Sequence, residues 1–290
     1  MGAGMNPQAS DHEIVLVDCP DEVGLIHRIT GVLGSRRLNI VSNHEFVDSL
    51  AGHFFFRAEV ACMDGPVAVP ELEADLARVL PRAARVRVTR AGRRPIVICA
   101  TSEPHCLGEL LLRDACGDLP GQIKAVVSNH NVLRELVERF DVPFHHLPHA
   151  GVSRESHEEQ LLHVIDGYSP AYVVLARYMR VLSEQAIRRY PLRIVNIHHS
   201  FLPAFAGASA YRQAFERGVK VIGATAHFVT PELDDGPIIA QDVIAVDHTF
   251  TPDRMAQAGR DVEKLVLARA VRVVLEERVF LHGRGTVVFG

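Results

Sequence analysis

From Ile96 onward, short apolar runs alternate with stretches of helical periodicity, and this alternation constrains the chain more than any other feature. The runs fall at 96–100, 123–127, 142–146, 172–176 and 193–197, and the helical stretches at 107–113, 131–140, 155–165 and 183–189. A strand followed each time by a helix returns parallel to its predecessor through a right-handed crossover, so the pattern predicts a mostly parallel sheet with helices on both faces. We therefore expect an α/β, Rossmann-like domain over residues 95–290. Two later runs, 221–229 and 238–246, lie close together and are expected to extend the sheet in antiparallel fashion. Residues 252–278 read as one helix with Met255, Val262, Leu265 and Val266 on a common stripe, and Gly283-Arg284-Gly285 as the turn of a closing hairpin.

A nucleotide-binding version of this architecture needs glycines in the first strand-to-helix turn, so that backbone amides reach phosphate. Here the turn is Ala100-Thr101-Ser102-Glu103-Pro104-His105, with no glycine and with a carboxylate that would repel phosphate. Neither GxGxxG nor GxxxxGKS/T occurs anywhere, which argues against dinucleotide or ATP chemistry, and no cofactor is expected.

The preceding residues follow a different pattern. A strand at 13–17 leads into a helix with Leu25, Ile26, Ile29, Val32 and Leu33 on one face, and a second strand starts at Leu38. The run 53–61 alternates, with Phe54, Phe56, Ala58 and Val60 on one face and Phe55, Arg57 and Glu59 on an outward one. Pro70 opens a second helix and 85–89 forms a last strand, giving a ferredoxin-like βαββαβ unit over 10–91. Ala91-Gly92-Arg93-Arg94-Pro95 is the polar, turn-rich boundary. The order of elements, D-x-x-G-L-I (Asp21 to Ile26) and L-N-I (Leu38 to Ile40), resembles the ACT domain. That resemblance implies a regulatory or assembly module that pairs with its own copy. It also implies an amino-acid effector near Asp21, Gly24 and Asn39, and a homo-oligomer, either a dimer or a tetramer.

Chemistry concentrates at residues 194–207, IVNIHHSFLPAFAG. The pattern puts Asn196, His198 and Ser200 at the end of a buried strand, where open α/β sheets bind ligands. Asn196 and His198, two residues apart on an extended chain, share one face and are able to grip one carbonyl oxygen. A second stretch, AHFVTPELDDGP at 226–237, brings His227 on a strand and Asp234 in the following loop. An amide, an imidazole and a carboxylate suit acyl-type transfer: Asn196 and protonated His198 bind the oxyanion, and Asp234 holds the imidazolium or steers protons.

N-I-H-x-S-x-L-P-x-F-x-G followed by H-F-V-T-x-x-L-D-x-G-P resembles the folate-dependent formyltransferase family over roughly residues 95–290. The resemblance implies catalytic roles for Asn196, His198 and Asp234. It also implies that the strand-end segment Met179, Arg180, Val181 and Leu182 meets the pterin ring of a folate substrate, with Ser200 grouped among the substrate contacts. The departures point within the family. The turn at 101–105 is not the phosphate-holding loop of glycinamide ribonucleotide formyltransferases. The tRNA-binding domain of methionyl-tRNA formyltransferases is not expected, as the sequence read ends at Gly290. The His198-His199 pair beside an ACT-like unit resembles the deformylase branch, in which water accepts the formyl group and one-carbon and purine metabolism is served. On that reading His199 either positions the water or hydrogen-bonds a loop carbonyl.

Other readings stay open at this point: transfer to an unphosphorylated amine, a folate or amino-acid sensor without chemistry, and a metal hydrolase. The last would draw on His145, His146, His149, His198, His199, His227, Asp234 and Asp235, but no HExxH or other fixed ligand spacing occurs, so no metal is expected. A net charge of −4 shows no basic excess for nucleic acid, and no apolar run approaches membrane-spanning length. The first ten residues lack the basic start and apolar core of a signal peptide. Five scattered cysteines without a CxxC pair read as reduced thiols, so a cytoplasmic location is expected.

Overall fold

The computed structural model of the chain describes residues 12–63, 65, 67–204 and 210–290. The start of the expected 10–91 domain and the 205–207 end of the histidine motif lie outside the described residues. The chain divides into two compact units, one running to Gly92 and the other starting at Arg93.

In the first unit β1 (His12–Pro20), α1 (Leu25–Ser35), β2 (Leu38–Asp48), β3 (His53–Cys62), α2 (Val69–Val79) and β4 (Arg85–Arg90) form an antiparallel sheet of order β2-β3-β1-β4 under two helices. Alternation sorts β3: Phe54, Phe56, Ala58 and Val60 pack against Leu25, Ile29 and Leu33 of α1 and Leu72 and Leu76 of α2. Phe55, placed on an outward face, is fully buried, with the Phe46 and His53 rings at centroid distances of 6.3 and 4.9 Å.

The second unit runs β5 (Arg94–Ala100), α3 (His105–Cys116), β6 (Gly121–Ser128), α4 (Arg134–Glu138), β7 (Phe144–His146), α5 (Arg154–Gly167), β8 (Tyr172–Ala176), α6 (Glu184–Arg189) and β9 (Ile194–His198). It continues through α7 (Ala210–Glu216), β10 (Val221–Phe228), β11 (Ile238–Ala245), the 24-residue α8 (Pro252–Leu275) and the hairpin β12 (Val279–His282)–β13 (Gly285–Val288). The sheet order is β11-β10-β9-β8-β5-β6-β7; β5 to β9 are parallel, and β10 runs antiparallel to β9 and β11. Successive β5 residues serve opposite faces. Ile96 and Ile98 pack with α3 and α8, while Val97 and Cys99 pack with Leu161 and Ile165 of α5. The continuous apolar runs reflect this burial on both sides. The strand order turns back between β5 and β8, which opens a crevice at the carboxyl ends of the strands.

Three details depart from expectation. Helix α4 keeps only five of the ten residues foreseen, because Asn131 starts a turn that bonds to the Arg134 amide and Asp141 leaves at φ +56°. Helix α7, seven residues long, is too short to announce itself by periodicity. Leu265 is 48% exposed, and the buried stripe of α8 passes instead through Met255, Gly259, Glu263 and Val266. None of the five cysteines is in a disulfide; Cys19, Cys99 and Cys106 are buried and Cys116 is exposed. Among the described residues no helix is long and apolar enough to cross a membrane.

Candidate active site

β9 brings Asn196 and His198 to a cavity of about 210 Å³ at the carboxyl ends of β8 and β9, and the β10–β11 loop closes one side with Asp234. The loop reaches that place because residue 236 is glycine. A Cβ there would stand 1.7 Å from the Phe228 carbonyl oxygen, so any other residue would push the loop off β10. Asp234 adopts φ +55°, a left-handed turn conformation that Asp tolerates better than most residues.

His198 Nδ1 lies 3.3 Å from Asp234 Oδ2, and His227 Nε2 lies 3.8 Å from Oδ1. His227 Nδ1 donates to the Phe228 carbonyl at 2.9 Å, so its Nε2 accepts from the Asn196 amide at 3.2 Å. The second amide N–H of Asn196 stays available. Among the described residues, His198 Nε2 is buried with no hydrogen-bond partner. An unpaired polar atom in such a place is costly unless a ligand completes it.

The electrostatics follow from this packing. The His198 hydrogen bond, with the His198 and His227 charges, outweighs burial and holds the Asp234 carboxyl below its ordinary value. Burial pushes His227 down. His199 is pushed down to about 4 by burial, then by the Arg177 and His198 charges. It is therefore neutral through the neutral range. Its ring sits 5.1 Å from that of His198 and 5.9 Å from that of Tyr211.

Met179, Arg180, Val181 and Leu182 all line the cavity, with Leu175, Ile187 and Val229 deepening its apolar wall. The segment is pinned by Thr101 Oγ1, which accepts from the Met179 amide at 3.0 Å, and by Arg154, which donates to the Val181 carbonyl. Ser200 is placed differently from expectation. Its hydroxyl donates to the Ala204 carbonyl at 2.7 Å and it is not among the residues lining this cavity. The turn it belongs to is anchored by Thr225 Oγ1, which donates to the Ser200 carbonyl and accepts from the Leu202 amide and Gln241. In the first unit Asp21 and Asn39 are exposed, and Gly24 precedes α1 at φ +88° with open space where a Cβ would stand.

A second layer, which the motifs do not mark, lies beneath His199. Glu263 of α8, 1% exposed, accepts from Tyr211 at 2.5 Å and from His105 Nε2 at 2.8 Å. Arg177 Nε stands 3.4 Å away. Burial pushes the Glu263 carboxyl up, but these three neighbours together hold it below its ordinary value. A Cβ on Gly259 would lie 2.1 Å from the Tyr211 ring, so the glycine seats that ring on α8. The one sign of this layer in the sequence is a carboxylate on the apolar stripe of a long helix. His105, Cys106 and Glu263 bring possible metal-ligand atoms within 4.8 Å of one another. Both Glu263 oxygens are already engaged by donors, a guanidinium stands alongside, and burial pushes the Cys106 thiol well up, so the donor set does not suit a cation.

The family model of formyl transferases matches residues 94–271, and that of ACT domains matches residues 14–77. The formyltetrahydrofolate deformylase of Escherichia coli O6:H1 is 54% identical over 270 residues, covering 93% of this chain and 95% of that protein. The chain belongs to the formyltetrahydrofolate deformylase family. A crystal structure of a deformylase from Pseudomonas syringae pv. tomato matches with a TM-score of 0.91 and 40% identity, over 96% of this chain and 94% of that one. Glycinamide ribonucleotide transformylase 1 from Symbiobacterium toebii, 32% identical with a TM-score of 0.66, covers only 68% of this chain. Deformylases thus account for nearly the whole length, and the transformylase leaves a third of it unmatched.

Proposed function

We propose that the protein hydrolyses 10-formyltetrahydrofolate to formate and tetrahydrofolate within one-carbon and purine metabolism. The observation that carries this reading is the buried, unpartnered Nε2 of His198 beside Asn196, with Asp234 on the other ring nitrogen. Water attacks the formyl carbon on N10. The free N–H of Asn196 and the Nε2–H of protonated His198 bind the oxyanion, and Asp234 stabilises the imidazolium. The new C–O bond forms, the C–N10 bond breaks, N10 takes a proton, and formic acid leaves as formate. His199, neutral and adjacent, positions the water. The apolar wall with Met179, Arg180, Val181 and Leu182 suits a flat heteroaromatic ring whose edge bonds to backbone.

Residues 95–290 serve catalysis and residues 10–91 regulation or assembly, with an amino-acid effector near Asp21, Gly24 and Asn39. The protein acts in the cytoplasm as a dimer or tetramer, without a metal or organic cofactor. The deciding experiment incubates pure, chelated protein with 10-formyltetrahydrofolate in buffer and quantifies both products. Stoichiometric formate and tetrahydrofolate over many turnovers support hydrolysis. No release until an amine is added would make the protein a transferase.

A further inference from the structure

Arg177 is the residue directly after β8, held at φ +60°, and it lines the same cavity as His198 and His199. Its side chain is only 15% exposed. Nε is buried without a hydrogen-bond partner, and its nearest acidic oxygen, on Glu263, stands at 3.4 Å without the alignment of a hydrogen bond. Tyr211 and His105 take the short hydrogen bonds to that carboxylate instead. Among the described residues no acceptor meets any of the guanidinium donors. Glu263 thus balances the charge from below without consuming the fork. A guanidinium matches a carboxylate through two parallel N–H bonds, which makes an open fork in a reaction cavity an anion receptor.

We infer that Arg177 forms a product subsite for the formate anion, with Glu263 balancing its charge from below. This inference rests on the hydrolytic reading above. Hydrolysis places two oxygens on the formyl carbon and releases a carboxylate, whereas transfer to an amine leaves a neutral amide and no anion. The other carboxylates of such a substrate belong to its glutamyl tail, separated from N10 by a benzoyl ring. Arg177 instead stands over the buried Glu263 and shares the cavity with the histidine pair.

The test titrates 13C-formate into the pure full-length protein without folate, at constant ionic strength set with chloride, and follows binding by NMR. Saturable binding in the wild type, weakened at least tenfold in Arg177→Gln, is the expected result. Equal affinity in the variant, or no saturable binding to the wild type, overturns the subsite. A tenfold rise in KM for the folate in Arg177→Gln with unchanged formate affinity would assign the guanidinium to the glutamyl tail, and also overturns it. Should Arg177→Gln fail to fold, Glu263→Gln replaces it. Removing the balancing carboxylate is expected to tighten formate binding severalfold, and unchanged or weaker binding overturns the proposal. Because no turnover is involved, Arg177-dependent formate binding in a protein that releases no formate would leave the subsite standing and remove only the hydrolytic reading.

Discussion

His198 Nδ1 faces Asp234 Oδ2 at 3.3 Å, one partner on a parallel strand and the other on a loop that only a glycine lets close. The pair leaves the opposite ring nitrogen, Nε2, as the free one in the cavity wall. Asp234→Asn keeps the loop's size and removes its charge. We expect kcat to fall by about 10²-fold with KM nearly unchanged, a typical range for losing a group that assists proton transfer. Formate release under saturating folate measures it, and normal turnover would remove Asp234 from the mechanism.

Asn196→Ala removes an oxyanion donor and should cost ~10²–10³-fold in kcat. His227→Phe keeps the ring's bulk but frees the Asn196 amide that His227 Nε2 holds at 3.2 Å. A smaller loss in kcat is expected there, about tenfold, since the donor remains but its aim does not. Steady-state kinetics of both variants distinguish the donor from its support.

Gly236→Ala retains every polar group of the site. Its new Cβ would meet the Phe228 carbonyl at 1.7 Å, so the loop must lift and carry Asp234 away from His198. Loss of kcat comparable to that of Asp234→Asn is expected. Because both changes break one interaction, the double variant should be little worse than either single one.

Acid should weaken the fold through His199. Its value is about 4 in the folded chain against 6.5 when unfolded, so between those values the unfolded chain binds more protons. Stability is then lost as pH falls from 6.5 toward 4, by about 3 kcal/mol in all. His157 and His227, both pushed down chiefly by burial, act in the same direction. Asp234 loses its own contribution at still lower pH, as its depressed carboxyl takes a proton. Melting temperatures between pH 7.5 and 4.5 should fall less steeply for His199→Asn than for the wild type; parallel curves would contradict the assignment.

Exhaustive chelation should leave formate release unchanged. The cluster of His105, Cys106 and Glu263 is organised by donors and a guanidinium rather than by lone pairs awaiting a cation. Activity lost on chelation and restored by one divalent metal would reverse this.

The parallel strands were legible because each is buried on both faces, as Ile96 and Ile98 on one side and Val97 and Cys99 on the other record. That Asn196, His198 and Asp234 meet at one cavity was legible because the motif spacing joins a strand end to a loop. What escaped depends on partners distant in sequence. Tyr211 belongs to a seven-residue helix, and its ring finds room only because residue 259 has no side chain. Glu263 makes sense only with Tyr211, His105 and Arg177 around it. Ser200 looked like a ligand contact and instead ties down its own turn.

The buried thiols have a practical consequence. Cys19 sits in the core of the first unit, and Cys99 lies in β5 at the centre of the second. Burial, first of all, pushes their thiols up to about 11 and about 12. Thiolate is the reactive form, so an alkylating reagent should modify exposed Cys116 quickly and these two only when their surroundings open. Mass-resolved labelling of the unmodified protein would therefore time the opening of each unit separately, with a surface thiol as internal clock.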